Sequence, residues 1–223
     1  ADSIPAFEFT DDDKVPERYA KSSDPQQRMF GWLISRGLTV GVRHKTPEGR
    51  LNITWATSYD DAPDAPFRVT ELHVRRGHSL RADDWGFLRE LPQLMSLDVR
   101  DDAFGDVALS LLAGHSQLSS IRLNNTNVTD DGLKHLTTMP NLGSVSLMND
   151  SPADNLPRYS NTAMEHIARI PRLTRVSIAG SDITDSGLEA VLTGGAELQG
   201  LALEDMNITD RSVQLLKRHP KVN

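Results

Sequence analysis

Charged and polar side chains that could bind an acidic group recur in the middle of the chain. Arg75, Arg100 and Arg122 are the basic members of this series, at intervals of 25 and 22 residues. A guanidinium binds a carboxylate through two parallel hydrogen bonds, so this pattern indicates recognition of carboxylates. Two interpretations stay open: the arginines pair with acids of the chain itself, or they anchor an acidic partner. The other polar candidates of this series are His73, Asp98 and Asn124.

Patterns typical of catalysis or of metal binding do not occur in the sequence. The seven histidines show no H-x-x-x-H or similar spacing that could hold a metal ion. The chain has no cysteine that could act as a nucleophile or a thiolate ligand, no G-x-S-x-G motif and no phosphate-binding loop. We therefore expect neither an enzyme nor a bound cofactor. A hydrolase located near the N-terminus is the catalytic alternative.

The elements that must position these side chains form a repeating series. Six segments match the pattern L-x-x-L-x-L, which places three apolar residues on the inner side of a short strand. Their first residues are separated by 25, 24, 24, 31 and 25 residues and are Val69, Leu94, Leu118, Leu142, Leu173 and Leu198. The residues between the apolar positions face outward. Because adjacent strands lie about 5 Å apart, His73, Asp98 and Arg122 are predicted to form a row across the sheet.

The second half of each unit repeats as well. Near copies of one motif are Val128-Thr-Asp-Asp-Gly-Leu133, Ile183-Thr-Asp-Ser-Gly-Leu188 and Ile208-Thr-Asp-Arg-Ser-Val213. Threonine and aspartate are favoured at helix starts, so Thr129 or Asp130 is predicted to cap the helix that follows. Because the pair recurs from unit to unit, capping explains it better than a binding site does.

With these two halves, residues 67–223 resemble the leucine-rich repeat family, in the form L-x-x-L-x-L-x-x-T-x-I-T-D-x-G-L-x-x-L of bacterial and F-box-associated repeat proteins. The resemblance implies an α/β solenoid with parallel strands on a concave face and short helices on a convex face. It also implies a module that binds a protein partner through the concave face. The family's asparagine ladder is replaced by Asp102, Thr126, Ser181 and Met206, which predicts a mixed polar ladder.

The segment 24–66 is expected to be an N-terminal cap and connector. Asp24-Pro25 is typical of a helix start and Gly37 of a helix end. Two runs of alternating apolar residues, 38–42 and 51–55, flank a turn and predict a β-hairpin. The helix and hairpin would cover the open edge of the first repeat strand.

Two further regions are candidates for binding. The last three strands present small residues, with Met148 and Arg175 among them, which would let a bound chain approach the sheet closely. The unit that starts at Leu142 is the long one, and its extra residues form an insertion loop, 149–159, at the rim of the concave face. Loops on a rigid scaffold often carry recognition, and the most contact-prone side chains here are Leu156 and Tyr159. Plain variation in length is the alternative.

Charge and composition bound the remaining possibilities. The net charge of −7 argues against nucleic-acid binding, and no apolar run is long enough to span a membrane. Seven acids against three bases in residues 1–24 predict a flexible acidic arm over 1–23. The sequence leaves the compartment open; a cleaved secretory signal before Ala1 is one interpretation of its start, and a secreted or periplasmic protein is favoured over a cytoplasmic one.

We expect a protein partner, bound by a monomer or a weakly self-associating chain. The alternative is a structural protein whose copies associate through the uncapped C-terminal edge of the repeats or through the acidic arm.

Overall fold

The computed structural model describes residues 14–81, 83–149, 156–194 and 197–222 and has an α/β fold. Its strands are β1 (Thr39–Lys45), β2 (Leu51–Ala56), β3 (Phe67–Arg75), β4 (Ser96–Arg100), β5 (Ser120–Asn124), β6 (Ser144–Met148), β7 (Arg175–Ala179) and β8 (Gly200–Glu204). They form one open sheet in the order β2-β1-β3-β4-β5-β6-β7-β8. Strands β3 to β8 are parallel to one another, while β1 is antiparallel to both β2 and β3.

Short helices connect the strands. The α-helices are α1 (Glu17–Ala20), α2 (Pro25–Ser35), α3 (Asp106–Ser110), α4 (Asn161–Ile167), α5 (Asp185–Thr193) and α6 (Asp210–Lys217). Tyr59–Asp61, Asp84–Glu90 and Gly132–Thr138 form 3-10 helices. Within the described ranges, every helix is too short or too polar to cross a bilayer.

The helix and the hairpin expected in the segment 24–66 are both present. The side chain of Asp24 accepts a hydrogen bond of 2.8 Å from the backbone N–H of Gln26, which caps α2. Gly37 follows the end of α2 with a φ of +80°, a conformation that glycine adopts without strain. Strands β1 and β2 form the hairpin, and β1 pairs with β3. The first parallel strand therefore has no open edge.

The described part of the segment expected to be a flexible arm is folded instead. Residues 14–23 contain α1, and Tyr19 in this helix is only 6% exposed. Its ring lies 5.3 Å from that of Phe30 and 5.7 Å from that of Tyr59, centroid to centroid. The prediction failed here because one buried aromatic residue offsets the polar composition around it. Residues 1–13, the rest of the predicted arm, lie outside the described residues.

The core lies between the sheet and the helices that connect its parallel strands. One row of apolar residues crosses the sheet in register, and each member is at most 2% exposed: Leu72, Leu97, Ile121, Val145 and Val176. Alternate residues of the same strands point away from the helices. They form the open face of the sheet, which is defined here as the outward residues of β3 to β8.

The Thr-Asp motif links neighbouring units, and the prediction that Thr129 or Asp130 caps the following helix was wrong. The carboxylate of Asp106 accepts hydrogen bonds from the backbone N–H of Thr129 at 2.8 Å and from its hydroxyl at 2.7 Å. The same relation joins Asp130 to Ser160, Asn161 to Thr184 and Asp185 to Thr209. The 3-10 helix after Thr129 has no side-chain cap. Ser160 and Thr209, by contrast, also cap the helices that follow them, α4 and α6.

The polar positions between strand and turn are mixed, as predicted. Thr126 and Ser181 are fully buried there. In the unit of β4 the buried residue is Asp101 and not Asp102, which is exposed. Asn149 is also buried, and its amide bonds both backbone groups of Thr126. Met206 is half-buried.

Candidate binding surface on the open face of the sheet

The row predicted from the sequence is present on the open face. His73 is paired in register with Asp98, Asp98 with Arg122, and Arg122 with Ser146. The row continues through Ser177 to Ala202. It therefore changes from ionisable residues on β3 to β5 to small residues on β6 to β8.

Asp98 is the electrostatic centre of the charged half. Its carboxylate oxygens accept hydrogen bonds from two nitrogens of Arg75, at 3.2 and 2.9 Å. Arg122 donates a third, at 3.0 Å. The side chain of Asp98 is 3% exposed, whereas those of Arg75 and Arg122 are 45% and 55% exposed. One buried carboxylate thus fixes two arginines, and the cluster keeps a net positive charge.

His73 lies at the start of the row, under an aromatic ring that sequence reasoning did not connect to the site. Its ring centroid is 4.3 Å from that of Trp55, which extends from β2 over β1. Gly41 makes this possible, because a Cβ there would lie 2.7 Å from Cβ of Glu71 and 3.3 Å from the Trp55 ring. Burial lowers the pKa of His73 below 6.5; Arg75 and Arg122 lower it further, against Asp98 and Glu71. His73 is therefore neutral at pH 7.

A groove of about 580 Å³ lies on the open face beside this cluster. Arg100 and Arg122 line one side of it, and Arg175 lines the other. Its remaining lining residues are mostly small or apolar: Asn124, Ser144, Val145, Ser146, Met148, Val176, Ser177, Gly200, Leu201 and Ala202. No acidic residue of the described chain lines the groove, and within that part Arg100 and Arg175 have no polar partner.

Three of the residues proposed from the sequence are buried and are not surface contacts: Asp98, Asn124 and Tyr159. Asn124 is 3% exposed, although it lines the groove, so it offers little area to a partner. Tyr159 is fully buried, and burial raises the pKa of its hydroxyl well above 10. It occupies the core position that Val128 and Ile183 hold in neighbouring units, and Ser160 follows it as a threonine follows those residues. The proposal of Tyr159 as a contact residue was therefore wrong.

The insertion loop 149–159 is held at both ends. The Asn149 side-chain amide donates to the carbonyl of Pro157 at 2.8 Å. Arg158 donates to the carboxylate of Asp182, also at 2.8 Å. Leu156 is half-buried, as is Met148 at the rim of the groove. Residues 150–155 of this loop lie outside the described residues.

Anywhere in the part of the chain that the structure describes, no cluster of three or more histidine, aspartate or glutamate side chains could hold a metal ion. The chain matches no known protein-family model, and no curated protein shows significant sequence similarity to it.

Proposed function

We propose that the chain is a solenoid of the leucine-rich-repeat type that binds an acidic segment of a partner protein on its open face. The observation that carries this proposal is the groove between Arg100 and Arg175. It presents three arginines, and no described acid lines it, on a chain of net charge −7. A local positive surface on an acidic protein favours an acidic ligand.

The solenoid is supported by the way in which successive units repeat. From β3 to β8 each strand pairs with the next in the same register, so equivalent side chains line up in rows. The hydrogen bonds from Thr129 to Asp106 and from Thr209 to Asp185 repeat the same contact between different pairs of units. Units that contact mainly their neighbours are typical of solenoids.

The geometry favours an extended peptide as the ligand. Ser146, Ser177 and Ala202 give the groove a shallow floor, so a bound backbone can approach the sheet closely. Arg122 is held in place by Asp98, which reduces the entropy that a contact to it would cost. Arg100 and Arg175 are available for carboxylates of the ligand, because neither bonds a described acid.

The test is direct titration of a labelled glutamate-rich peptide, with a glutamine-rich peptide of equal length as the uncharged comparison. Only the glutamate peptide should bind, and Arg100→Glu should weaken its binding at least about tenfold. The matched control is Arg169→Glu, which makes the same charge change beyond the end of α4 and outside the groove. Equal binding of both peptides, or equal loss in both variants, would contradict the proposal.

A further inference from the structure

The two edges of the sheet end in different ways. On the edge strand β2, Asn52 and Thr54 are paired with residues of β1 and lie on the core side of the sheet. The hydroxyl of Thr54 is hydrogen-bonded to Nε2 of His44 at 2.9 Å. Polar residues therefore close the core at this edge, which is one way in which proteins protect an edge strand.

On the edge strand β8 the core residues are apolar and incompletely covered. Leu201 and Leu203 continue the rows of Val176 and Ile178, which are 2% and 0% exposed, yet both leucines are half-buried. Apolar residues after β8 are also more exposed than their equivalents one unit earlier. Ile208 is 39% exposed and Val213 is 49% exposed, whereas Ile183 and Leu188, their equivalents one unit earlier, are both fully buried.

We propose that this C-terminal face pairs with the same face of a second copy, through antiparallel β8 strands. A two-fold axis through Ala202, perpendicular to the sheet, lets all five residues of β8 pair. Leu201 then lies opposite the partner's Leu203 on the core side. Gly200 lies opposite the partner's Glu204 on the open side. The unpaired backbone groups of β8 gain hydrogen bonds, and the apolar layer becomes continuous.

Charge complementarity selects a second copy as the occupant. Arg175 is paired in register with Gly200, and a Cβ at Gly200 would lie 3.5 Å from Cγ of Arg175 and 3.9 Å from its Cδ. The Arg175 side chain therefore lies beside Gly200 on β8. Because glycine has no side chain, Gly200 places none between Arg175 and the edge of the sheet. In the proposed register the partner's Glu204 is the next residue across the edge, on the same face. Symmetry forms this ion pair twice.

The pairing engages Arg175, which also lines the groove, but it leaves Arg100 and Arg122 to the peptide. The two-fold axis is perpendicular to the sheet, so the open faces of both copies point the same way and both grooves stay accessible. Glu204 does not line the groove, whereas Arg100 does and is far from β8 in strand order. A change at Glu204 therefore tests the dimer, and a change at Arg100 tests the peptide site.

The experiment is sedimentation equilibrium of the whole chain over a range of concentrations, with Glu204→Arg, Arg175→Glu and the double variant. We expect a reversible dimer that each single change weakens at least about tenfold and that the exchange of both charges restores. Hydrogen exchange should show that the β8 amides facing away from β7 are protected only in the dimer. A monomer at every soluble concentration would overturn the proposal. So would a dimer that both single variants leave unchanged, or one in which these β8 amides exchange freely.

Discussion

The buried carboxylate of Asp98 accepts two hydrogen bonds from the guanidinium of Arg75, one at each oxygen. Burying a carboxylate to 3% exposure costs free energy unless the charge has partners. The two hydrogen bonds from Arg75 and a third hydrogen bond from Arg122 therefore make the burial of Asp98 possible. Both arginines in turn lose freedom, and Arg122 lines the groove in a fixed position. The two interpretations of the arginine series thus apply to different members: Arg75 and Arg122 pair with Asp98, while Arg100 pairs with no acid among the described residues.

The first prediction concerns this pair. Asp98→Asn removes the charge with little change in volume, and both arginines lose a charged partner. Since the arginines are about half exposed, water replaces part of what is lost, and we expect the free energy of unfolding to fall by about 1–2 kcal/mol. Urea denaturation measures this. Arg100→Gln is the control, and it should change stability by less than about 0.5 kcal/mol. Equal effects of the two substitutions would contradict the role of Asp98.

The second prediction concerns the protonation of His73. Its folded pKa is below the ordinary 6.5 because burial disfavours the imidazolium. Between 6.5 and that lower value the unfolded chain binds a proton that the folded chain does not. His73 thus contributes stability above pH 6.5, and the contribution is lost as the pH falls through the folded pKa. NMR titration of the ring should give a midpoint below 6.5. A midpoint at or above 6.5 would contradict the prediction and show that Asp98 and Glu71 outweigh burial and the arginines in setting the pKa of His73.

The pattern of strands follows from the sequence because two periodicities agree. Alternation places apolar residues such as Leu97 and Ile121 on one side of their strands, and the repeat places equivalent positions side by side. The row from His73 through Asp98 to Arg122 could therefore be predicted. The burial of Asp98 could not be predicted, because it depends on the lengths and directions of two arginine side chains.

Three other features lay beyond sequence reasoning for physical reasons. Tyr159 and Ser160 replace the Ile-Thr of the motif after a longer loop, so the unit seemed to have extra surface residues where a core residue stands. The Thr-Asp motif satisfies both capping and cross-unit hydrogen bonding, and only distances separate the two. Trp55 contacts His73 across an intervening strand, which no local pattern indicates.

The third prediction concerns acid unfolding at the C-terminal unit. Hydrogen bonds from the Ser212 hydroxyl, and then from the hydroxyl and N–H of Thr209, lower the pKa of Asp185 from 3.8 to about 2. The stability that Asp185 contributes is present above pH 3.8 and is lost as the pH falls through about 2. Asp185→Asn should therefore lower stability at pH 7 and make its decline between these pH values shallower.

Urea denaturation across a pH series checks this, with hydrogen exchange of α6 as the local readout. Ser212→Ala is the companion variant. It removes the largest cause of the lowered pKa of Asp185, so its decline in stability should be smaller than in the parent chain and should end at a higher pH. An unchanged pH profile in both variants would show that these hydrogen bonds do not stabilise the folded state.

The last prediction uses Gly132 to test the contact between units. An added Cβ would lie 2.0 Å from Oδ1 of Asp106, the oxygen that accepts the backbone N–H of Thr129. Alanine is the better helix former by about 1 kcal/mol, so helix propensity alone predicts a gain for Gly132→Ala. The displaced carboxylate would instead lose its hydrogen bonds to Thr129, and we expect the free energy of unfolding to fall by about 1–2 kcal/mol.

A double-mutant cycle separates these effects: in an Asp106→Ala background, Gly132→Ala should be neutral or stabilising. Gly143→Ala is the comparison, since a Cβ there meets nothing closer than 3.5 Å. If Gly132→Ala costs the same with and without Asp106, the glycine does not serve the contact between units.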